Sequence, residues 1–273
     1  MSHSRAHCIS RRLMVLWLLL LAAISTRVEA TIIHVDMANG TAVQQPAPSY
    51  IAYVYTGTNA NVATGVLIAP RFVLTTAKTS SLALSVTLNT TKPLGLDGER
   101  ISVIRTFVHP FFNRSSLSFD LGVLQLDHDS KSTPAPLSFD YCPRDTKATV
   151  RGFGRVQYDQ KADILRESSG HVLSNDDCIN MNDPSGKAPN DLMCIIGPYP
   201  CMGDAGGPVT IVNKDGQEVV VAVQSWTSDK CMGDFGGYVR LSNAVEFFKP
   251  FLRGQDVCQQ NLVRPTLLSQ LTR

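Results

Sequence analysis

The sequence predicts an all-β fold. Short runs of β-branched and aromatic residues recur along it, turn-rich stretches separate them, and only the C-terminal end has helical spacing. In order, the runs are residues 50–55, 65–69, 72–76, 101–108, 121–126 and 219–226. Residues 89–98 and 182–190 are rich in turn formers and punctuate the pattern. Many short strands with such punctuation imply a barrel or a sandwich. At the end, Asn243 and Glu246 are spaced as a capping box, with Val245, Phe248 and Phe251 following at helical spacing. Pro250 lacks the N–H a helix needs and is expected to kink or shorten this one.

The first thirty residues read as a secretory signal. Arg11 and Arg12 precede twelve apolar residues, Leu13 to Ile24, and the segment ends on the small residue Ala30. Twelve is short of the roughly 20 residues a membrane-spanning helix requires. Removing residues 1–30 takes away Arg5, Arg11, Arg12, Arg27 and Glu29, so the formal charge moves from +2 to −1. A near-neutral mature chain gives no support for nucleic-acid or membrane-surface binding.

Cys8 leaves with the signal, and Cys142, Cys178, Cys194, Cys201, Cys231 and Cys258 remain. An even number in a secreted chain implies three disulfides, in any of 15 pairings. There is no CxxC pair and no close Cys/His cluster, so neither a metal site nor a cofactor is expected. Asn39, Asn89 and Asn113 each begin an N-glycosylation triplet.

Four separated segments resemble one family, in the family's order. Residues 66–79, VLIAPRFVLTTAKT, resemble the strand and turn that end in Ala-Ala-His-Cys. Residues 108–126, VHPFFNRSSLSFDLGVLQL, resemble the His-Pro-x-Tyr-Asn loop and the Asp-Ile-Ala-Leu-Leu strand. Gly152-Phe153-Gly154 resembles Gly-Trp-Gly. Residues 201–208, CMGDAGGP, followed by Ser225-Trp226, resemble the nucleophile loop and its neighbour. The chain is thus similar to the trypsin/chymotrypsin-like serine proteases. That resemblance implies two antiparallel six-stranded β-barrels with a short C-terminal helix over residues 31–255, followed by a tail, 256–273.

The same resemblance implies roles residue by residue. Asp120 holds the place of the carboxylate that orients the base, and Ser225 that of its serine partner. Lys78 stands where the histidine base belongs, and Ala205 where the nucleophilic serine belongs. A methyl group cannot attack a carbonyl, so no catalytic residue is expected; a lysine base without a hydroxyl to activate changes nothing. The N–H groups of Gly203 and Ala205 correspond to the oxyanion hole. Lys78 is expected to pair with Asp120, the alternative being a solvent-facing lysine. Tyr199, Ser225, Trp226 and Thr227 correspond to the specificity pocket, which Tyr199 and Thr227 would obstruct. Asp204 holds the place of the aspartate that receives the new N-terminus on activation. Here no Ile-Val-Gly-Gly-like start exists, so an exposed or locally bonded acid is expected. His109 is expected on the surface, outside any catalytic role.

Cysteines fit through paired losses. Two family disulfides would join positions 63 with 79 and 148 with 211, where Ala63, Thr79, Ala148 and Ile211 stand. The survivors imply Cys178–Cys194 and Cys201–Cys231, leaving Cys142–Cys258. Among inactive members of the family, the oomycete glucanase inhibitor proteins match best. They imply a secreted, non-enzymatic protein that binds and inhibits a host plant endo-β-1,3-glucanase. The alternatives are a pseudoprotease with another role, as a decoy or an adhesion or immune factor, and an active endopeptidase.

Overall fold

In this computed structural model, residues 40–57, 62–95, 97–156, 160–182, 191–198, 200–227, 231 and 235–252 are described. The expected signal over residues 1–30, Asn39, Tyr199, Cys258 and the expected tail over 256–273 lie outside them. Thirteen strands occur among the described residues, twelve of them in two closed antiparallel barrels.

The first barrel contains β2 (Ile51–Tyr55), β3 (Val62–Ala69), β4 (Phe72–Thr75), β5 (Ser85–Leu88), β6 (Glu99–Val108) and β7 (Gly122–Leu126). It closes in the order β2-β3-β4-β7-β6-β5. Alternate residues fill its interior, among them Ala52 and Val54 of β2, Leu67 of β3, and Leu124 and Leu126 of β7. The opposite faces are also buried. Val66, Ile68, Leu74 and Val123 pack against Val220, Val223 and Val239 of the second barrel. Strands buried on both faces read as continuous apolar runs, which is why the sequence lacks clean alternation here.

The second barrel contains β8 (Lys147–Gly152), β9 (Arg166–Val172), β10 (Leu192–Ile196), β11 (Pro208–Val212), β12 (Glu218–Thr227) and β13 (Phe235–Arg240). The order is β9-β10-β13-β12-β11-β8, and a β8–β9 pairing closes it. Strand β1 (Thr41–Ala42) adds to β9 at its edge. Register shifts in β3, β6, β11 and β12 supply the local bends that closing a small barrel needs. Val209 and Thr210 face Val150 and Thr149 where β11 pairs with β8.

Three short helices complete the described fold: α1 (Ala77–Ser80), α2 (Asn175–Asn182) and α3 (Val245–Phe248). The expected capping box does not form. A 3-10 turn, Ser242–Ala244, precedes α3, and neither segment has a side-chain cap. Ser242 Oγ donates to Asn243 Oδ1 (3.1 Å), and Glu246 pairs with Lys249 instead (2.5 Å). As expected from Pro250, α3 ends within a turn, but Phe248, Phe251 and Leu252 still reach the core between the barrels.

Polar contacts also cross between the barrels. Tyr50 Oη donates to Glu218 Oε1 (2.9 Å), and the same carboxylate binds Arg151, which also binds Glu167. Burial raises the Tyr50 phenol above its usual range, and the neighbouring Glu218 adds to the rise. No helix among the described residues is long and apolar enough to cross a membrane.

Candidate functional site

The site lies where α1, the loop before β7, the 201–207 loop and the end of β12 meet. Thr76 caps α1, its Oγ1 accepting the Thr79 N–H (3.3 Å), and this places Lys78 in the single helical turn. Asp120 arrives from a tight loop in which Leu117 and Phe119 have φ of 56° and 49°. Side chains other than glycine seldom adopt such angles without external support. The support is Asp191, just before β10, whose carboxylate accepts Ser118 Oγ (2.8 Å) and the Phe119 N–H (2.5 Å).

Asp120 is fully buried and fully engaged. Its Oδ1 accepts the Lys78 backbone N–H at 3.1 Å, and its Oδ2 accepts Ser225 Oγ at 2.7 Å. The Lys78 ammonium lies 3.3 Å from Oδ2 and also donates to the Ser225 carbonyl. An unpaired buried carboxylate would be costly, and this lysine supplies the missing cation. The structure thus brings Lys78, Asp120 and Ser225 together.

Ala205 sits on the adjoining loop. Its carbonyl accepts the Thr64 N–H (3.0 Å), and the next residue, Gly206, donates to the Gln224 carbonyl (2.8 Å). Gly206 has φ 87°, and a Cβ there would stand 2.2 Å from Thr64 O and Thr75 Oγ1, so only glycine lets the loop approach β3 and β4 this closely. The N–H groups of Gly203 and Ala205 have no acceptor among the described residues. Thr64, like Asp191, is a contributor to the site that no motif in the sequence marks. Besides its backbone contact, its hydroxyl donates to Gly203 O (3.0 Å) and accepts the Phe153 N–H (3.1 Å).

Of the expected pocket residues, Ser225, Trp226 and Thr227 lie at the end of β12, while Tyr199 is outside the described residues. Thr227 Oγ1 donates to the Pro200 carbonyl, joining the end of β12 to the segment before Cys201. A Cβ on Gly237 would fall 2.0 Å from Trp226 Nε1, so the indole lies against that backbone. A Cβ on Gly236 would meet the Pro200 ring at 2.5 Å.

Asp204 is completely buried and locally bonded rather than exposed. Its two oxygens accept the N–H groups of Gly154 (2.7 Å) and Cys201 (2.8 Å). Burial pushes its carboxyl up to about 7 despite those two bonds, and it has no ion-pair partner among the described residues. The expectation of a surface His109 is overturned. The ring is 5% exposed, stacks on Phe119 at 4.5 Å and accepts the Phe111 N–H through Nδ1, because the surrounding aromatic rings enclose it. Burial lowers its pKa.

Disulfides join Cys178 to Cys194 and Cys201 to Cys231, two of the pairs the resemblance implies. Cys142 is a buried thiol with no disulfide partner among the described residues, and its expected partner Cys258 lies outside them. No cluster of residues suited to a metal ion occurs among the described residues.

Residues 37–248 match the trypsin family model, and the chain belongs to that family. Several relatives divide in kind. A trypsin of Saccharopolyspora erythraea is 29% identical, covering 65% of this chain and 81% of its own. Glucanase inhibitor protein 3 of Phytophthora infestans is 30% identical over 58% of this chain and 64% of its own length. Glucanase inhibitor protein 1 of the same organism is 29% identical, with 71% and 79% covered. Mouse neuropsin, a serine protease of known structure, superposes with a TM-score of 0.69 over 78% of this chain and 99% of its own, at 23% identity. That likeness is one of fold.

Proposed function

We propose that this is a secreted, proteolytically inactive member of the trypsin family that binds and inhibits a protein partner, a plant endo-β-1,3-glucanase. The observation that carries the reading is the Lys78–Asp120 ion pair beside Ala205. The carboxylate that would orient a histidine base is occupied by a lysine, and the neighbouring loop offers a methyl where the chemistry needs a hydroxyl. The Thr227–Pro200 bond opposes insertion of a substrate side chain. Relatives that inhibit glucanases support the partner, and the two disulfides together with the signal-like first thirty residues support secretion.

The test is a binding and inhibition assay against purified apoplastic endo-β-1,3-glucanases. The reading expects complex formation and slowed glucan hydrolysis at micromolar protein. Absence of both removes the glucanase and leaves the fold. A decoy for protease inhibitors is the second reading, favoured by the unengaged N–H groups of Gly203 and Ala205, which could receive an inhibitor carbonyl. Binding of a reactive-loop protease inhibitor in place of glucanase would select it. The trypsin relative favours an active endopeptidase, and labelling by a serine-directed probe or peptide turnover would establish that instead.

A further inference from the structure

Asn89 follows β5 directly and, with Thr90 and Thr91, forms an acceptor triplet for N-linked glycans. It is exposed, and its side-chain amide has no partner among the described residues. The backbone around it is firmly held. Its φ of 52° falls in the left-handed region that asparagine tolerates, and its N–H donates to Ser49 O at 3.4 Å. Two residues on, the Thr91 carbonyl accepts the Leu165 N–H (2.6 Å). Asn113 differs, because its Oδ1 is taken by the N–H groups of Ser115 (2.9 Å) and Ser116 (3.1 Å) in its own turn.

Asn89 also forms one wall of an open cavity of about 400 Å³, whose other walls are Ser49, Glu99, Lys131, Ser132 and Thr133. The floor is rigid. Glu99 accepts Ser130 Oγ (2.5 Å) and the Lys131 N–H (3.0 Å), and Ser130 N–H donates to Pro70 O (2.7 Å). Above it, the hydroxyls of Ser49, Ser132 and Thr133 and the Lys131 ammonium make no contact with a polar partner among the described residues. Three hydroxyls and a cation around an acceptor asparagine match a sugar ring, whose hydroxyl and acetamide groups both donate and accept hydrogen bonds.

We propose that Asn89 carries an N-linked glycan whose first N-acetylglucosamine seats in this polar cavity. The inference rests on the secretion part of the proposed function. In the transfer, Asn89 Nδ2 attacks the anomeric carbon of an oligosaccharide linked to a polyprenyl pyrophosphate. A C–N bond forms, the C–O bond to the pyrophosphate breaks, and the amide loses one proton.

The test uses the full chain expressed through a eukaryotic secretory route, with peptide mass spectrometry at Asn89 and the acetylation rate of Lys131. The secreted protein is expected to carry the glycan, and Lys131 is expected to react severalfold more slowly than in Asn89→Gln. Trimming to the first sugar should keep the protection, and an amidase that removes that sugar should abolish it. Thr91→Ala, which keeps Asn89 but breaks the triplet, should match Asn89→Gln. Secreted protein bare at Asn89 overturns the proposal and leaves secretion intact, whereas protein retained inside the cell overturns both. A glycan present with unchanged Lys131 reactivity overturns the seating.

Discussion

The Lys78 ammonium stands 3.3 Å from Asp120 Oδ2, one partner partly exposed and the other sealed. Removing the lysine leaves the carboxylate buried with only the Lys78 N–H and Ser225 hydroxyl to hold it. Breaking a fully buried pair costs about 3–5 kcal/mol, and the exposure of Lys78 reduces that. Lys78→Met is therefore expected to lose on the order of 2 kcal/mol in urea unfolding, with glucanase binding retained at temperatures where the variant is folded.

Restoring the nucleophile alone should restore nothing. In Ala205→Ser the Lys78 amine remains committed to Asp120 and the Ser225 carbonyl. The double variant Lys78→His/Ala205→Ser should gain measurable ester hydrolysis, since either missing group costs about 10⁶ in kcat. Peptide turnover should stay low until Thr227→Gly also releases Pro200. An active-site titrant and a small ester substrate would check each step.

Asp204 gives stability an uncommon pH dependence. Its folded pKa of about 7 lies above the unfolded value near 4, so between these limits the folded state binds more protons. Its contribution is therefore fully present in acid and is lost as pH rises through 7. Three units amount to on the order of 4 kcal/mol. His109 acts in the opposite sense, because burial depresses its pKa and it loses stability as pH falls below the usual histidine range. Comparing urea midpoints of the wild type and Asp204→Asn across pH 4–8 isolates the first effect, and their difference should change steadily over that window.

Tyr50→Phe removes one hydrogen bond to a charged group across the two barrels. Such bonds contribute about 1.5–3 kcal/mol, and the half-buried setting favours the lower end. Calorimetry should show the loss, with Arg151 still held by Glu167 and Glu218.

The fold was legible because the apolar runs and the order of four motifs survive even where single residues changed. The pairing of Lys78 with Asp120 could be inferred once the family resemblance placed the two positions together and charge logic asked for a cation beside the carboxylate. Other parts depended on contacts distant in sequence. Asp191 supports Phe119 from 72 residues away, and nothing local marks it. His109 followed by proline suggested a surface loop, yet Phe111, Phe119 and Phe247 converge on it from two separate segments. The capping box does not form, and Glu246 pairs with Lys249 instead, a partner that the Asn243–Glu246 spacing does not reveal.

Thr64 binds Ala205, Gly203 and Phe153 at once, reaching from the first barrel to two segments associated with the second. These bonds tie the first barrel to both segments. A macromolecule that grips both would then find the contact surface already arranged, with little freedom left to freeze on association. On the proposed reading, the seam between the barrels would serve as an anvil, keeping the outer loops still while another protein is held against them.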